Sequence, residues 1–329
     1  MVAILILNWN GWKDTIACLK SLSLMDFEDY FIILGDNGSN NDSKDKLADY
    51  CKLIGKSGEW LPLESKVDKP LAAKDIILYD LKTNNGFARG NNLMMKFAWQ
   101  YKPDYYLLLN NDTEVEPDFL SKLICYQKRN PQIKILSPLI YYYDNKDRIW
   151  NAGGKIIWGV RKYFYSDCLA KDISIEEYLN CSFITGCALL CVPDILKKDH
   201  TLFSEAFFHG EEDFELGLRM KRMRVKMGCY TPSVIYHKVG RSSGSVGEKI
   251  GLTYCYYLNR FINLRHNLNF LSFYTFLCVY FLYVIRLLHN NGLSYWKAIK
   301  FYYKVIVESH KLDGVTYEKF NECVKKTSI

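Results

Sequence analysis

Four short apolar runs, each followed by a polar loop, constrain the fold of this chain more than any other feature. Residues 2–7, 31–34, 76–79 and 105–109 are built from Ile, Leu, Val, Ala, Phe and Tyr, with no alternating polar positions. Continuous runs of this kind predict strands buried on both faces, as in a parallel sheet covered by helices. The loops that follow carry Asn8 to Asp14, Gly35-Asp36-Asn37-Gly38-Ser39, Asn84-Asn85-Gly86 and Asn110-Asn111-Asp112. Helical stretches are predicted at about 15–24 and 90–101. Strands alternating with helices predict an α/β fold, an open and mostly parallel sheet flanked by helices. Ligands of such sheets bind beyond the carboxyl ends of the strands, where all four loops lie.

The middle of the chain is more mixed. Residues 135–143, 183–192 and 229–236 read as strands, the last leading to His237. A loop at 150–154 precedes strand-like sequence to about 165. Residues 193–198 read as a short helix, and 211–223 as a helix with Phe214 and Leu218 one turn apart.

After about residue 247 the character changes. Residues 254–267 look helical, and 268–285 are 18 residues without a charge, between Arg265/His266 and Arg286/His289. That length is at the lower limit for a membrane span. Asn269, Ser272, Thr275 and the many aromatics favour a membrane-surface or re-entrant helix over a buried partner helix, with a true span least favoured. Residues 241–329 hold 12 Lys/Arg against 5 Asp/Glu and so carry the whole formal charge of +7. A basic, aromatic tail suits an anionic membrane surface and speaks against a nucleic-acid partner. With 49% apolar and 24% charged residues the chain is globular, and disorder is excluded as its main state. Its 329 residues allow one large domain or two smaller ones, read here as residues 1–245 and a helical extension, 246–329. The 11 cysteines contain no C-x-x-C pair, and no secretory pattern is read at the start. Both features predict reduced thiols and a cytoplasmic protein.

The polar loops supply the candidate chemistry. Asp112, just beyond a strand, can hold Mg²⁺ or Mn²⁺ against a diphosphate, or it can cap a turn. Asp36 can accept from a base or a ribose hydroxyl, or serve a plain turn. The stretch from Asn85 to Asn92 brings small residues to a helix start that favours a phosphate. It is neither a dinucleotide fingerprint nor a P-loop. Glu211-Glu212-Asp213 crowds three carboxylates, which predicts a raised pKa in at least one if they are buried together. One could act as general base, or all could serve the helix dipole. His237, ahead of Gly240-Arg241-Ser242-Ser243, reads as a further metal ligand, a phosphate contact or a structural histidine.

Six motifs in order then carry a resemblance: ILILNWNG at 4–11, GDNGSNNDS at 35–43, NNGFARGNN at 84–92, LLLNNDTEVEPDFL at 107–120, FFHGEEDFELGLRMKRM at 207–223 and VIYHKVGRSS at 234–243. Over about residues 2–265 the chain resembles family-2 glycosyltransferases with the GT-A fold, in particular the rhamnosyltransferase-like branch of bacterial surface polysaccharide synthesis. The resemblance implies an inverting transfer of a sugar from a nucleoside-diphosphate donor, dTDP-rhamnose or a UDP-sugar, to a hydroxyl of a glycan or lipid-linked acceptor. It implies that Asn8, Asn10, Asp36, Asn91, Asn92 and Asn111 approach the nucleotide-sugar. Asp112 and His237 would hold the divalent cation, with Asn110 where the family's first acid stands. Asp213, paired with Glu212, would be the catalytic base, and Arg219 and His209 would contact acceptor or phosphate. The chain lacks the Gln-x-x-Arg-Trp stretch of processive synthases, which implies single additions. Work at the inner face of the cell membrane is implied, and a homodimer is left open. Two competing readings are a sugar nucleotidylyltransferase, for which Gly11-Trp12-Lys13 is a poor triphosphate loop, and an inactive nucleotide-sugar-binding scaffold.

Overall fold

The computed structural model describes residues 1–66, 70–239 and 246–325. The chain begins with β1 (Val2–Asn8), α1 (Trp12–Ser23), β2 (Tyr30–Asp36), α2 (Ser43–Leu53), β3 (Trp60–Pro62), β4 (Ile76–Asp80) and α3 (Gly86–Ala98). It continues through β5 (Tyr105–Asn110), β6 (Thr113–Val115), α4 (Phe119–Arg129), β7 (Ile133–Tyr142) and β8 (Ile149–Asn151). Next come β9 (Gly154–Ile157), β10 (Val160–Tyr163), β11 (Tyr178–Cys181), β12 (Ala188–Cys191), α5 (Glu212–Arg222) and β13 (Lys226–His237). Four helices follow: α6 (Val246–Asn267), α7 (Phe270–Asn290), α8 (Tyr295–Ser309) and α9 (Tyr317–Val324).

The main sheet has the order β11-β13-β7-β12-β5-β1-β2-β4-β3, with β6 on β13 and β8 on β7. Strand β1 lies parallel between β5 and β2, and β4 extends the parallel set. Alternate residues of β1 enter different cores, as a pleated strand requires. Val2, Ile4 and Ile6 meet Leu19, Leu22, Leu47 and Leu123 of α1, α2 and α4. Ala3 and Leu5 share the other core with Met94, Met95 and Phe97 of α3 and Leu216 and Met220 of α5. Both faces are covered, which is why these strands carry unbroken apolar runs. A third core joins α6, α7 and α8 to Ile156, Phe183, Phe207 and Phe214.

Three departures from the sequence expectations bear on the layout of the sheet and its edge. Helix α3 begins at Gly86, not near residue 90. Gly86 has φ +72°, and a Cβ there would lie 2.2 Å from the Phe208 carbonyl oxygen, so only glycine allows this close approach. The run 183–192 is strand only over Ala188–Cys191. Phe183 makes a single antiparallel bridge with Gly154 and Ile184 is buried beside it, and burial alone cannot tell such a segment from a strand. Strand β12 runs antiparallel to both β5 and β7, a direction that local sequence does not encode.

Candidate active-site cleft

Sheet order places the loops after β5, β1, β2 and β4 side by side. Register aligns them: Leu7 is opposite Asn110, Asn8 opposite Asp36, and Asp36 opposite Asp80. Strand β13 then pairs with β6, so His237 faces Thr113, one residue beyond Asp112. Two lobes open along this edge and adjoin at Trp9, which lines both. One, of about 940 Å³, is lined by Asn10, Asn111, Asp112, His209 and His237 among others. The second, of about 780 Å³, is lined by Asn40, Arg89, Glu205, Tyr317 and Glu318 among others. The start of α9 thus forms a wall of the second lobe.

The floor of the first lobe is the Asp112–His237 pair, with Oδ1 3.1 Å from Nε2. Asp112 Oδ1 is buried and receives no well-directed hydrogen bond from the described residues. Burial alone would depress the His237 imidazole, but neighbouring Cys187 and Asp112 outweigh it and hold its pKa above the ordinary value. A carboxylate oxygen short of donors beside an imidazole nitrogen fits a divalent cation that completes its shell with phosphate oxygens and water. Among the described residues no cluster of three or more His, Cys, Asp or Glu offers a complete protein cage. Asn111 donates to Thr15 Oγ1 at 2.9 Å and is held in place at the rim.

Several predicted contact residues frame the loops from beneath instead of lining the cleft. Asn8 and Asp36 are fully buried. Asn8 Nδ2 donates to Asp36 Oδ1 at 2.9 Å, and Thr15 Oγ1 donates to Asn8 Oδ1 at 2.9 Å. Asp36 also accepts from Ser39 N at 3.0 Å and Ser39 Oγ at 2.6 Å. That network carries Asn10, whose φ of +56° asparagine tolerates. Asn10 Oδ1 in turn accepts from Asn40 N at 2.9 Å. Asn91 and Asn92 lie on the inward face of α3, where both are buried. Asn91 Nδ2 donates to the Phe87 carbonyl at 2.9 Å. Asn92 Oδ1 accepts from Leu202 N and Phe203 N, and its Nδ2 donates to Glu205 Oε1 at 3.0 Å. Asn92 therefore positions Glu205 and lies behind the cleft wall. Arg219 donates to Glu215 through Nε and Nη2 and to the Leu202 carbonyl, so it ties α5 to this same segment and lines neither lobe.

The acidic triplet divides into three roles. Glu212 Oε2 accepts from the N–H groups of Gly210 and Glu211 at 2.7 and 2.9 Å, so this oxygen pins the turn that leads into α5. Glu211 is fully buried and chelated by Arg260, whose Nε and Nη2 donate at 2.8 to 3.0 Å. Asn263 and Arg161 complete its shell. Asp213 keeps a side chain 20% exposed, with Oδ1 3.1 Å from Arg161 Nη2. Burial raises its pKa, Arg161 opposes, and Glu212 and Glu211 add to the rise, leaving it at about 7. Three crowded carboxylates do shift one of their number. Asp213 does not line the lobe that holds Asp112; His209, four residues earlier, does. The Gly240-to-Ser243 loop lies outside the described residues.

Sequence reasoning missed Arg89, Glu205, Arg161 and Arg260. Arg89 is the one charged residue in NNGFARGNN, a usable signal. Arg161 and Arg260 meet Glu211 across 50 and 49 residues, and nothing local marks them.

Residues 3–198, more than half of the chain, match the model of glycosyl transferase family 2. No curated protein matches the chain significantly. Among solved structures, it is similar to GalNAc-T7 with UDP, GalNAc and Mn²⁺ (TM-score 0.58, 15% identity, 98% of this chain and 56% of that one). It is also similar to the mannosyltransferase PcManGT from Pyrobaculum calidifontis with GDP-Man and Mn²⁺ (TM-score 0.54, 8% identity, 95% and 86% covered). A third is S. aureus TarS 1-349 (TM-score 0.50, 11% identity, 94% and 71% covered). The chain thus spans just over half the length of GalNAc-T7. At such identities the likeness speaks for the fold, and the family match speaks for descent. The mostly parallel sheet with its loops gathered at one edge is the GT-A fold, and the chain belongs to glycosyl transferase family 2.

Proposed function

We propose that this protein transfers a sugar, with inversion and one unit at a time, from a nucleoside-diphosphate donor to a hydroxyl of a glycan acceptor. The observation that carries the reading is the Asp112–His237 pair on the floor of a 940 Å³ cleft where four strand-end loops meet. Two of the similar structures hold UDP or GDP-Man with Mn²⁺, which supports a diphosphate and a divalent cation, Mg²⁺ or Mn²⁺, at this position. A cation bound there offsets the charge that grows on the leaving diphosphate. Asp112 and His237 would hold it, while Asn10 and Asn111 would border the donor. The framework of Asn8 and Asp36 keeps the nucleotide loops in shape. The second lobe suits the acceptor. Trp9 and Tyr317 offer ring faces, and Arg89, Glu205 and Glu318 offer polar groups for sugar hydroxyls. Residues 1–245 serve as the catalytic unit and 246–329 as the helical extension. Resemblance to the rhamnosyltransferase-like branch supports dTDP-rhamnose or a UDP-sugar as donor, and surface polysaccharide at the inner membrane face as the setting.

In the chemical step the acceptor oxygen bonds to the anomeric carbon as the bond to the diphosphate breaks on the opposite face. The acceptor proton passes to Asp213, whose pKa of about 7 suits a general base near neutral pH. Asp213→Asn is expected to lower kcat by about 10²–10⁴-fold while leaving donor binding intact. Because the base must be deprotonated, wild-type kcat should rise with pH through about 7 and then level. A second reading places the base at His209, because His209 lines the Asp112 lobe and Asp213 does not. Steady-state transfer and calorimetric donor titration of Asp213→Asn and His209→Gln decide between them. Loss of kcat in His209→Gln alone would move the role there, and loss in neither would remove base catalysis from both residues.

A further inference from the structure

Helix α7 is two-faced. Phe273, Phe276, Leu277, Tyr280, Val284, Ile285 and Leu288 are buried against neighbouring helices. Its other face leaves Phe270, Leu271, Val279 and Leu282 open, Leu282 at 72% exposure. Helix α8 continues this surface with Trp296, Ile299 and Tyr303 at positions i, i+3 and i+7, Trp296 being 76% exposed. An almost wholly apolar groove of about 540 Å³ runs between the helices, lined by Leu277, Cys278, Phe281, Ile299, Tyr303 and Ile306 among others. A second row on α8, beside the first, carries exposed Lys297, Lys300 and Lys304 at the same spacing. Across residues 270–307 there is no Asp or Glu, and Arg286 is the only other charged residue. Among the described residues, no carboxylate pairs with these four cations.

From this surface we infer that α7 and α8 together form a docking face for an anionic lipid bilayer, lying in the plane of the interface. Aromatic and aliphatic side chains enter the headgroup boundary, and the lysines reach the anionic headgroups along its rim. A second copy of the chain is a poor occupant, since it would set lysine against lysine with no carboxylate between them. A spanning α7 is equally poor, because lipid would have to replace the seven side chains that hold it to the bundle. The inference deepens the membrane setting proposed above by naming the surface, yet its test needs neither donor nor acceptor.

Flotation of the full chain with vesicles of phosphatidylcholine alone, and of phosphatidylcholine mixed with phosphatidylglycerol, provides that test. The wild type should float with the mixed vesicles and bind the neutral ones weakly. Lys297→Gln/Lys300→Gln/Lys304→Gln should lower partition onto mixed vesicles by about 100-fold. Trp296→Ala/Tyr303→Ala should abolish binding to both vesicle types. All five side chains are exposed, so circular dichroism and melting should match the wild type and exclude misfolding. Wild-type protein that floats with neither vesicle, or variants that float as well as wild type, would overturn the inference. So would a stable wild-type dimer that Trp296→Ala/Tyr303→Ala splits.

Discussion

Replacing Asp112 by alanine should reduce turnover by about two to three orders of magnitude. Its buried Oδ1 lies 3.1 Å from His237 Nε2 and receives no well-directed hydrogen bond from the described residues. Stabilising charge on a leaving diphosphate through a cation is worth several kcal/mol, and each ~1.4 kcal/mol is tenfold in rate. Mn²⁺ titration followed by electron paramagnetic resonance, with and without UDP, separates ligand loss from misfolding. Unchanged Mn²⁺ affinity with UDP present, together with near-normal transfer, would remove Asp112 from the metal role.

Glu211→Gln should be the most destabilising single change, costing about 3–5 kcal/mol. Arg260 is 1% exposed, lies 3.9 Å from the centre of the Phe214 ring, and meets Glu211 through two nitrogens. Neutralising Glu211 leaves that guanidinium buried without its carboxylate, and Arg161 loses a partner as well. At roughly 2–4 °C per kcal/mol for a chain of this size, the melting temperature should drop by about 10 °C in a calorimetric scan. The double variant Glu211→Leu/Arg260→Met should recover most of that, because removing both charges removes the desolvation cost of each. A melting temperature within about 2 °C of wild type for Glu211→Gln would show that this cluster does not hold α5 to α6.

How much was legible in the sequence depended on the range of the interaction. The strands read at 2–7, 31–34, 76–79 and 105–109 correspond to Val2–Asn8, Tyr30–Asp36, Ile76–Asp80 and Tyr105–Asn110. Burial on two faces imprints an unbroken apolar run, and a polar residue must appear where the strand leaves the sheet. That same logic picked out Asp112 and His237, which the fold brings together across 125 positions. It failed for Asn91 and Asn92, where the motif was visible but the helix phase was not. Both are buried on α3, while exposed Arg89 of the same helix lines the second lobe. It also failed to separate Glu211, Glu212 and Asp213, three neighbours with one chemistry whose partners lie in β10, in α6 and in their own helix turn.

Strand positions, the polar edge of the sheet and the basic, apolar character of the C-terminal helices were written in the sequence alone, because each is a local consequence of what must be buried or wetted. Strand order, the antiparallel insertion of β12, the meeting of His237 with Asp112 and the choice of which carboxylate is chelated, pinned to its own turn or left to titrate were decided by tertiary packing. Those outcomes depend on pairings between residues far apart in the chain, whose energies exist only once the sheet and its helices have closed around them.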